Sequence, residues 1–238
     1  MTAAVHLMLL PGMDGTGRLF EPLRRSVEAD ARFTAQVVVY PPGDRLDYTA
    51  LLERVLAEWP ADGSRVVIVA ESFSGPIGVR LAARAMPGLA ALVLVASFVR
   101  SPIRWLPAWL AGLTGRVAFA LPPPAWALRH WLTGHDADRE LVAATRAAVR
   151  TVSPSVMAYR AACALRTNVA AELRACPVPV LDLRGSRDRV VPARCRRVVL
   201  QARPDATTVS LDAPHFVLQR RPLAALDAIH TFATGTRA

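Results

Sequence analysis

Six short apolar runs, separated by helical patterns, constrain the fold of this chain more than any other feature. The runs are Val5–Leu10, Gln36–Tyr40, Arg65–Ala70, Ala90–Ala96, Val178–Leu183 and Thr207–Leu211. They have strand length, and most are apolar almost throughout, which is typical of strands buried on both faces of a parallel sheet. Between them, apolar residues recur at helical spacing, as in Leu19, Leu23 and Val27. The alternation predicts an α/β domain with a mostly parallel sheet of about six strands and helices on both faces.

The alternation is interrupted once, between Ser97 and about residue 174. This segment contains four of the five Trp residues, namely Trp105, Trp109, Trp126 and Trp131. Ligands of open parallel sheets bind at the carboxyl ends of the strands. We therefore predict an α/β core of residues 1–97 and 175–238, covered at that end by a helical cap of residues 98–174. Its Trp side chains either line an apolar substrate pocket or simply pack the cap onto the core.

The formal net charge is +10, and all 29 basic residues are Arg. The arginines are scattered through predicted helices, and no aromatic residues interleave with them. Such a pattern is typical of a solvated surface and not of a nucleic-acid interface. We expect a small-molecule partner and no nucleic acid. A weak association with membranes or lipid surfaces stays open, and the oligomeric state is not indicated.

Cysteine usage and the amino terminus both suggest a cytoplasmic protein. The three cysteines, Cys163, Cys176 and Cys195, are odd in number and lack metal-ligand spacing, so we expect free thiols in a reducing compartment. The first residues lead into an apolar strand without a basic segment or a cleavage site, so no secretory signal is expected. The apolar stretch Trp105–Leu132 is interrupted by Pro and Arg, which argues against a membrane span.

A serine directly follows the third predicted strand, in the sequence Glu71-Ser72-Phe73-Ser74-Gly75. A strand, a sharp turn and a helix are the context of a nucleophile elbow. Its usual Gly-x-Ser-x-Gly pattern is not met, but small side chains, Ala70 and Ser74, still stand two residues before and after Ser72. The motif alone does not decide between a nucleophile and an ordinary helix cap. Glu71 either tunes the site electrostatically or, as we expect, faces a neighbouring helix or solvent.

A glycine-rich turn follows the first predicted strand, from Pro11 to Gly17. It lacks the Lys-Ser/Thr ending of a P-loop, and its spacing does not fit a dinucleotide fingerprint. In a serine hydrolase this loop supplies a backbone N–H to the oxyanion hole, where glycine permits close approach of the backbone. We predict that Met13 and Phe73 are the two N–H donors, although Asp14-Gly15 is also an ordinary turn.

An acid and a histidine follow two further strands, at Asp188 and His215. Ser72, Asp188 and His215 stand in the chain order nucleophile, acid, base that α/β-hydrolases use. Of the competing acids, Asp182 is expected inside a strand and Asp212 is too close to His215 in sequence. We predict a catalytic triad of Ser72, His215 and Asp188.

On these motifs the chain resembles the α/β-hydrolase superfamily from Val5 to about Phe232. The motifs LPGMDGTG and ESFSG together are similar to bacterial hydrolases related to plant phytyl ester synthase-type acyltransferases. The resemblance implies a minimal α/β-hydrolase fold, a cap over an acyl pocket, and the triad and oxyanion-hole roles given above. The chain departs from the pattern at Ala70 and Ser74, at Pro11 where many members have His, and in lacking antiparallel strands before Val5.

These features predict a serine hydrolase that needs no cofactor or metal. Ser72 would attack an ester or thioester carbonyl and form an acyl-enzyme that water cleaves. An apolar acyl group is expected, because such pockets are mostly hydrophobic. Two alternatives stay open: an acyltransferase that passes the acyl group to an alcohol, and a non-catalytic binding protein on the same fold. A haloalkane dehalogenase is disfavoured because it requires a carboxylate at position 72.

Overall fold

The computed structural model describes residues 4–103, 117–121 and 123–235. The strands within these ranges are β1 (Val5–Leu10), β2 (Phe33–Val37), β3 (Val66–Glu71), β4 (Leu89–Val95), β5 (Val180–Gly185) and β6 (Thr207–Leu211). These six strands form one parallel sheet in the order β2-β1-β3-β4-β5-β6. The predicted α/β fold with a minimal parallel sheet is confirmed.

Helices cover both faces of the sheet. They are α1 (Glu21–Glu28), α2 (Tyr48–Ala57), α3 (Gly75–Ala83), α4 (Ala125–Leu128), α5 (Arg139–Arg150), α6 (Pro154–Arg166), α7 (Ala170–Ala175), α8 (Arg194–Ala202), α9 (Val217–Arg220) and α10 (Pro222–Thr234). Helices α2, α3, α7 and α8 pack on one face, and α1 and α10 pack on the other. No helix in the described part of the chain has the length and apolar character needed to cross a membrane.

The core consists of two layers because successive strand residues point to opposite faces. In β3, Ile68 and Ala70 pack with α2 and α3, whereas Val67 and Val69 pack with α1 and α10. Residues of both registers are fully buried. This two-sided burial explains why the strand sequences show uninterrupted apolar runs and little alternation.

The second strand differs most from its predicted position. It spans Phe33–Val37 and pairs with β1, whereas the predicted run was Gln36–Tyr40. Val38 and Tyr40 are fully buried, but they lie beyond the strand, and the Tyr40 N–H donates to the Gly15 carbonyl over 2.8 Å. Tyr40 packs beneath the glycine-rich turn, whereas the Val38 N–H still donates to the Leu9 carbonyl of β1 over 3.1 Å.

The two ends of the predicted insert, residues 98–174, are paired with each other. The Val169 N–H donates to the Val99 carbonyl over 2.7 Å, and Arg100 forms an antiparallel bridge with Asn168. Its last helix, α7, packs against α3, and Leu173 belongs to the core on that face. Helices α4 to α6 therefore lie, along the chain, between two segments that are hydrogen-bonded to each other.

Candidate active site

The turn after β3 holds Ser72 in a strained conformation at the carboxyl edge of the sheet. Its φ is 48°, a left-handed value that is uncommon for a residue with a side chain. A short 3-10 turn, Ser72–Ser74, then leads into α3. This strand-turn-helix geometry is that of a nucleophile elbow.

Close packing explains the small residues around this turn. A side chain at Gly78 would place its Cβ 2.7 Å from the Ala70 Cβ, and one at Gly75 would collide with Ser97. Ala70 thus fits where the usual motif has Gly, but a larger residue would not. The hydroxyl of Ser74 contacts the Pro11 carbonyl and lies 2.7 Å from the Tyr40 hydroxyl, which ties the elbow to the glycine-rich turn.

The structure brings Ser72, His215 and Asp188 together in one chain of hydrogen bonds. His215 Nδ1 lies 3.0 Å from Asp188 Oδ2, and His215 Nε2 lies 3.0 Å from Ser72 Oγ. The side chains of His215 and Asp188 are almost fully buried, at 5% and 4% exposure. This arrangement has the geometry of a nucleophile, a general base and an orienting acid.

The environment of Asp188 sets the histidine tautomer. Burial raises the pKa of Asp188, but the His215 hydrogen bond and charge and the Val191 and Val190 N–H groups outweigh it and leave the pKa below its ordinary value. An ionised carboxylate only accepts hydrogen bonds, so His215 Nδ1–H must donate to it. The lone pair of Nε2 then faces the Ser72 hydroxyl, as a general base requires.

The two competing acids are engaged elsewhere. Asp182 lies inside β5, is fully buried, and pairs with Arg184 and Arg196 at 2.8 and 2.7 Å. Asp212 is 72% exposed and pairs with Arg187 at the surface. Of the three acids, Asp188 is the one whose carboxylate reaches His215.

The glycine-rich turn places Met13 beside the nucleophile. The Gly15 N–H donates to the Gly12 carbonyl over 3.0 Å, and the intervening peptide bonds are trans. Because the C=O and N–H of a trans peptide point in opposite directions, the Met13 N–H points away from this turn. It donates to no residue in the described ranges. Met13 and Phe73 both line the cavity at Ser72, and their oxyanion-hole role stays a prediction.

An apolar cavity of about 420 Å³ opens over Ser72 and His215. Its walls come from the core and from the insert, and include Phe98, Ile103, Phe119, Leu132, Met157 and Phe216. The residues that line it within the described part of the chain include no Lys or Arg. Most of the lining residues are apolar, so the cavity suits an uncharged apolar group attached to a reacting carbonyl.

The predicted Trp lining is wrong for two of the four residues. Trp126 and Trp131 are 70% and 48% exposed, and neither lines the cavity. Trp105 and Trp109 lie outside the described residues. The walls are formed instead by Leu, Ile, Phe, Met and Val side chains, whose role a sequence pattern does not separate from that of ordinary core residues.

Glu71 faces a neighbouring helix, α9, as one of the two expected placements has it, and it does not face solvent. It is 5% exposed, lines the cavity, and accepts a hydrogen bond from Gln219 Nε2 over 3.0 Å. Burial raises the pKa of Glu71 to about 7, against the opposing effects of Gln219 and His215. A carboxyl group that changes charge near neutral pH thus stands next to the nucleophile.

Comparisons with known proteins identify the family and the fold. Residues 45–212, more than half of the chain, match the Hydrolase_4 family, described as serine aminopeptidase, S33. No curated protein sequence matches.

Three solved structures illustrate the shared fold. A bromoperoxidase from Bacillus anthracis has a TM-score of 0.79 at 14% identity, over 98% of this chain and 92% of that one. An enol-lactonase from Burkholderia xenovorans LB400 has a TM-score of 0.73 at 21% identity, over 97% and 92%. A lipase-esterase related protein from Clostridium acetobutylicum ATCC 824 has a TM-score of 0.76 at 12% identity, over 97% of this chain and 95% of that one. From the family match and the six-stranded parallel sheet, the chain belongs to the Hydrolase_4 (serine aminopeptidase, S33) family of α/β-hydrolases.

Proposed function

We propose that the protein is a serine esterase that cleaves carboxylic esters or thioesters of an apolar acyl group. The observation that carries the proposal is the hydrogen-bonded set Ser72, His215 and Asp188, of which Ser72 and His215 line an apolar cavity. The family match supports hydrolysis as the reaction class. The lipase-esterase related protein and the enol-lactonase that share this fold are consistent with a reaction at ester bonds.

The reaction proceeds in two steps through an acyl-enzyme. His215 Nε2 takes the Ser72 hydroxyl proton as Oγ attacks the carbonyl carbon. The resulting oxyanion accepts hydrogen bonds from the Met13 and Phe73 N–H groups. The tetrahedral intermediate collapses, the bond to the alcohol or thiol breaks, and His215 returns the proton to that leaving group. Water then attacks the acyl-Ser72 ester with His215 as base, releasing the acid and restoring the hydroxyl. Asp188 orients the imidazole and stabilises its protonated form.

We further propose that the insert, residues 98–174, acts as a cap that forms the acyl pocket. Leu132 and Met157 of the insert line the cavity together with Ser72 and His215 of the core. The absence of Lys and Arg from its described lining favours an uncharged acyl chain over a dicarboxylate. A volume of about 420 Å³ is towards the low end for small-molecule pockets and favours a medium chain over a long one.

Hydrolysis of p-nitrophenyl acetate, butanoate, octanoate and palmitate tests this proposal. We expect kcat/KM to peak at butanoate or octanoate and to vanish in Ser72→Ala. A sharp preference for acetate would refute the apolar acyl pocket. A wild-type protein that cleaves none of the esters, in spite of folding normally, would favour a non-catalytic binding protein.

The motifs are similar to those of phytyl ester synthase-type acyltransferases, so a separate experiment asks whether water or an alcohol accepts the acyl group. The same octanoate reaction is run with added dodecanol, and free octanoic acid and dodecyl octanoate are quantified. We expect the free acid to dominate, because nothing in the proposed mechanism excludes water from the acyl-enzyme. Dominant formation of the dodecyl ester in water would replace the esterase with an acyltransferase.

A further inference from the structure

Arg160 is a buried cation that the proposed chemistry does not use. It lies on α6 in the insert and is fully buried. Its Nη1 donates to the carbonyls of Met13 and Asp14, and its Nη2 donates to the carbonyl of Pro41, each over 2.9 Å. The guanidinium also lies 5.8 Å from the centre of the Tyr40 ring. One side chain of the insert therefore joins the two loops that follow β1 and β2.

Burial of the Arg160 guanidinium is unfavourable for the stability of the folded protein. No carboxylate within the described residues lies within salt-bridge distance of Arg160, and its Nε has no hydrogen-bond partner there. Burial lowers the pKa of Arg160, although the charge of Asp14 partly opposes the effect. A buried charge without an ion-pair partner costs more than an apolar side chain of similar size. A role beyond packing is consistent with such an arrangement.

Two of the three bonds, those to the carbonyls of Met13 and Asp14, act on the turn that carries the Met13 N–H. The Gly12 carbonyl is already held by the Gly15 N–H, and Arg160 holds the next two carbonyls, those of Met13 and Asp14. Contacts within the protein thereby fix all three successive peptide planes, because the Gly15 N–H that holds the first plane belongs to the same peptide unit as the Asp14 carbonyl that Arg160 holds. The orientation of the Met13 N–H follows from the first of these planes.

Gly15 leaves the space that Arg160 needs. A Cβ at this position would lie 2.6 Å from Arg160 Nη1 and 2.8 Å from the Tyr40 Cβ. The φ of Gly15 is also 70°, a value that suits glycine. The insert adds a further link nearby, because the Ser153 N–H at the start of α6 donates to the Pro42 carbonyl over 3.0 Å.

We propose that Arg160 is a positioning residue that holds the Met13 N–H in place for the developing oxyanion. The role rests on the proposed esterase function. Oxyanion donors stabilise the transition state best when they need no reorganisation during the reaction. Loss of Arg160 therefore weakens transition-state binding and leaves ground-state binding in the apolar cavity largely unchanged. The same contacts hold α6 in place beside the pocket, because a movement of this helix away from the core would break all three hydrogen bonds of the guanidinium.

The test compares Arg160→Met, Arg160→Lys and Gly15→Ala with wild type. Arg166→Met is the matched control, because Arg166 is exposed on the same helix. Octanoate ester kinetics are measured together with the affinities of butylboronic acid, which forms a tetrahedral adduct with a nucleophilic serine, and of pentanamide, which mimics bound substrate. Circular dichroism and thermal melting establish that each variant is folded.

We expect kcat/KM and boronic acid affinity to fall together in Arg160→Met, by on the order of 10- to 100-fold. The affinity for pentanamide should stay within about twofold, since that ligand develops no oxyanion. Gly15→Ala should show the same pattern because its Cβ displaces the guanidinium. Arg160→Lys should fall between wild type and Arg160→Met, and Arg166→Met should match wild type.

Boronic acid affinity that is unchanged in folded Arg160 and Gly15 variants would overturn the positioning role and leave the esterase proposal standing. Equal losses for boronic acid and pentanamide would also overturn it, because they would indicate a general collapse of the cavity. Where Arg160→Met does not fold, Arg160→Lys decides, since it retains a buried cation with hydrogen-bond donors. A wild-type protein that neither cleaves esters nor binds boronic acid would instead overturn the proposed function itself.

Discussion

The hydroxyl of Ser97 donates a hydrogen bond to the backbone carbonyl of Ser72 over 2.6 Å. The bond joins two strained turns, because Ser72 has a φ of 48° and Ala96, just before Ser97, has a φ of 46°. The Ser97 carbonyl is held in turn by Arg184 Nη2 over 2.8 Å. The end of β4 thus restrains the backbone of the residue that presents the proposed nucleophile.

Removal of this restraint should affect activity more than substrate binding. Ser97→Ala should lower the free energy of unfolding by about 1–2 kcal/mol, since it deletes one buried hydrogen bond. It should lower kcat by about 10-fold with little change in KM, because a displaced nucleophile impairs the reaction and not the apolar contacts. Ser26→Ala is the control, as it deletes a similar bond to the Pro22 carbonyl in α1. Equal kcat values for Ser97→Ala and Ser26→Ala would show that the Ser97 bond has no catalytic role.

Replacement of Asp188 tests which acid orients His215. Asp188→Asn removes the ionised acceptor of the Nδ1–H group and favours the wrong imidazole tautomer, so kcat should fall by about 10³- to 10⁴-fold. Asp212→Asn should retain wild-type activity because that carboxylate pairs with Arg187 at the surface. Ester kinetics of the two variants decide the question. A greater loss in Asp212→Asn than in Asp188→Asn would contradict the assignment.

Glu71 predicts a specific pH dependence of stability. Its pKa is about 7 in the folded protein, above the value of a solvated Glu, so the folded state binds the proton more tightly. The tighter proton binding stabilises the folded protein by on the order of 3 kcal/mol. This stabilisation is fully present below about pH 4.5 and is lost as the pH rises through about 7. Urea unfolding at pH 5 and pH 8 should show Glu71→Gln gaining stability relative to wild type at the higher pH.

Glu140→Gln, at an exposed position of α5, serves as the matched control for this effect. Its stability relative to wild type should be nearly the same at the two pH values. If Glu71→Gln also shows no change between pH 5 and pH 8, the folded-state pKa of Glu71 is not raised.

The shape of the cavity predicts how substrate length can be altered. Val149 of α5 lines it, so Val149→Trp should lower kcat/KM for octanoate by about 10-fold while leaving acetate nearly unchanged. Trp126→Ala should leave the chain-length preference as it is in wild type, because Trp126 is exposed and does not line the cavity. A changed preference in Trp126→Ala together with an unchanged one in Val149→Trp would place the acyl group elsewhere.

The strands and the three residues of the proposed triad were predictable because each leaves a local signal. Strands that are buried on both faces of the sheet have apolar runs in their sequence. A polar residue soon after such a run is easy to recognise, as at Ser72, Asp188 and His215. The second strand was misplaced because Val38 and Tyr40 are buried beyond its end, and buried apolar residues there have the same composition as a strand. Composition alone likewise could not distinguish the exposed Trp126 from a pocket residue.

The residues that support the site were not predictable for a different reason. Ser97, Gln219 and Arg160 act through contacts with residues 25, 148 and 147 positions away in sequence. A serine after a strand or an arginine on a helix carries no signal of such a partner. These roles depend on the tertiary arrangement of the loops at the carboxyl edge of the sheet.

Reaction with a fluorophosphonate probe, followed by peptide mass spectrometry, tests the central claim most directly. The probe bonds covalently to a serine hydroxyl activated by a general base, as Ser72 Oγ would be by His215 Nε2 at 3.0 Å. We predict one label per wild-type chain, on the peptide containing Ser72, with no labelling of Ser72→Ala and greatly slowed labelling of His215→Ala. A wild-type protein that stays unlabelled, or a Ser72→Ala variant that labels as fast as wild type, would contradict the account.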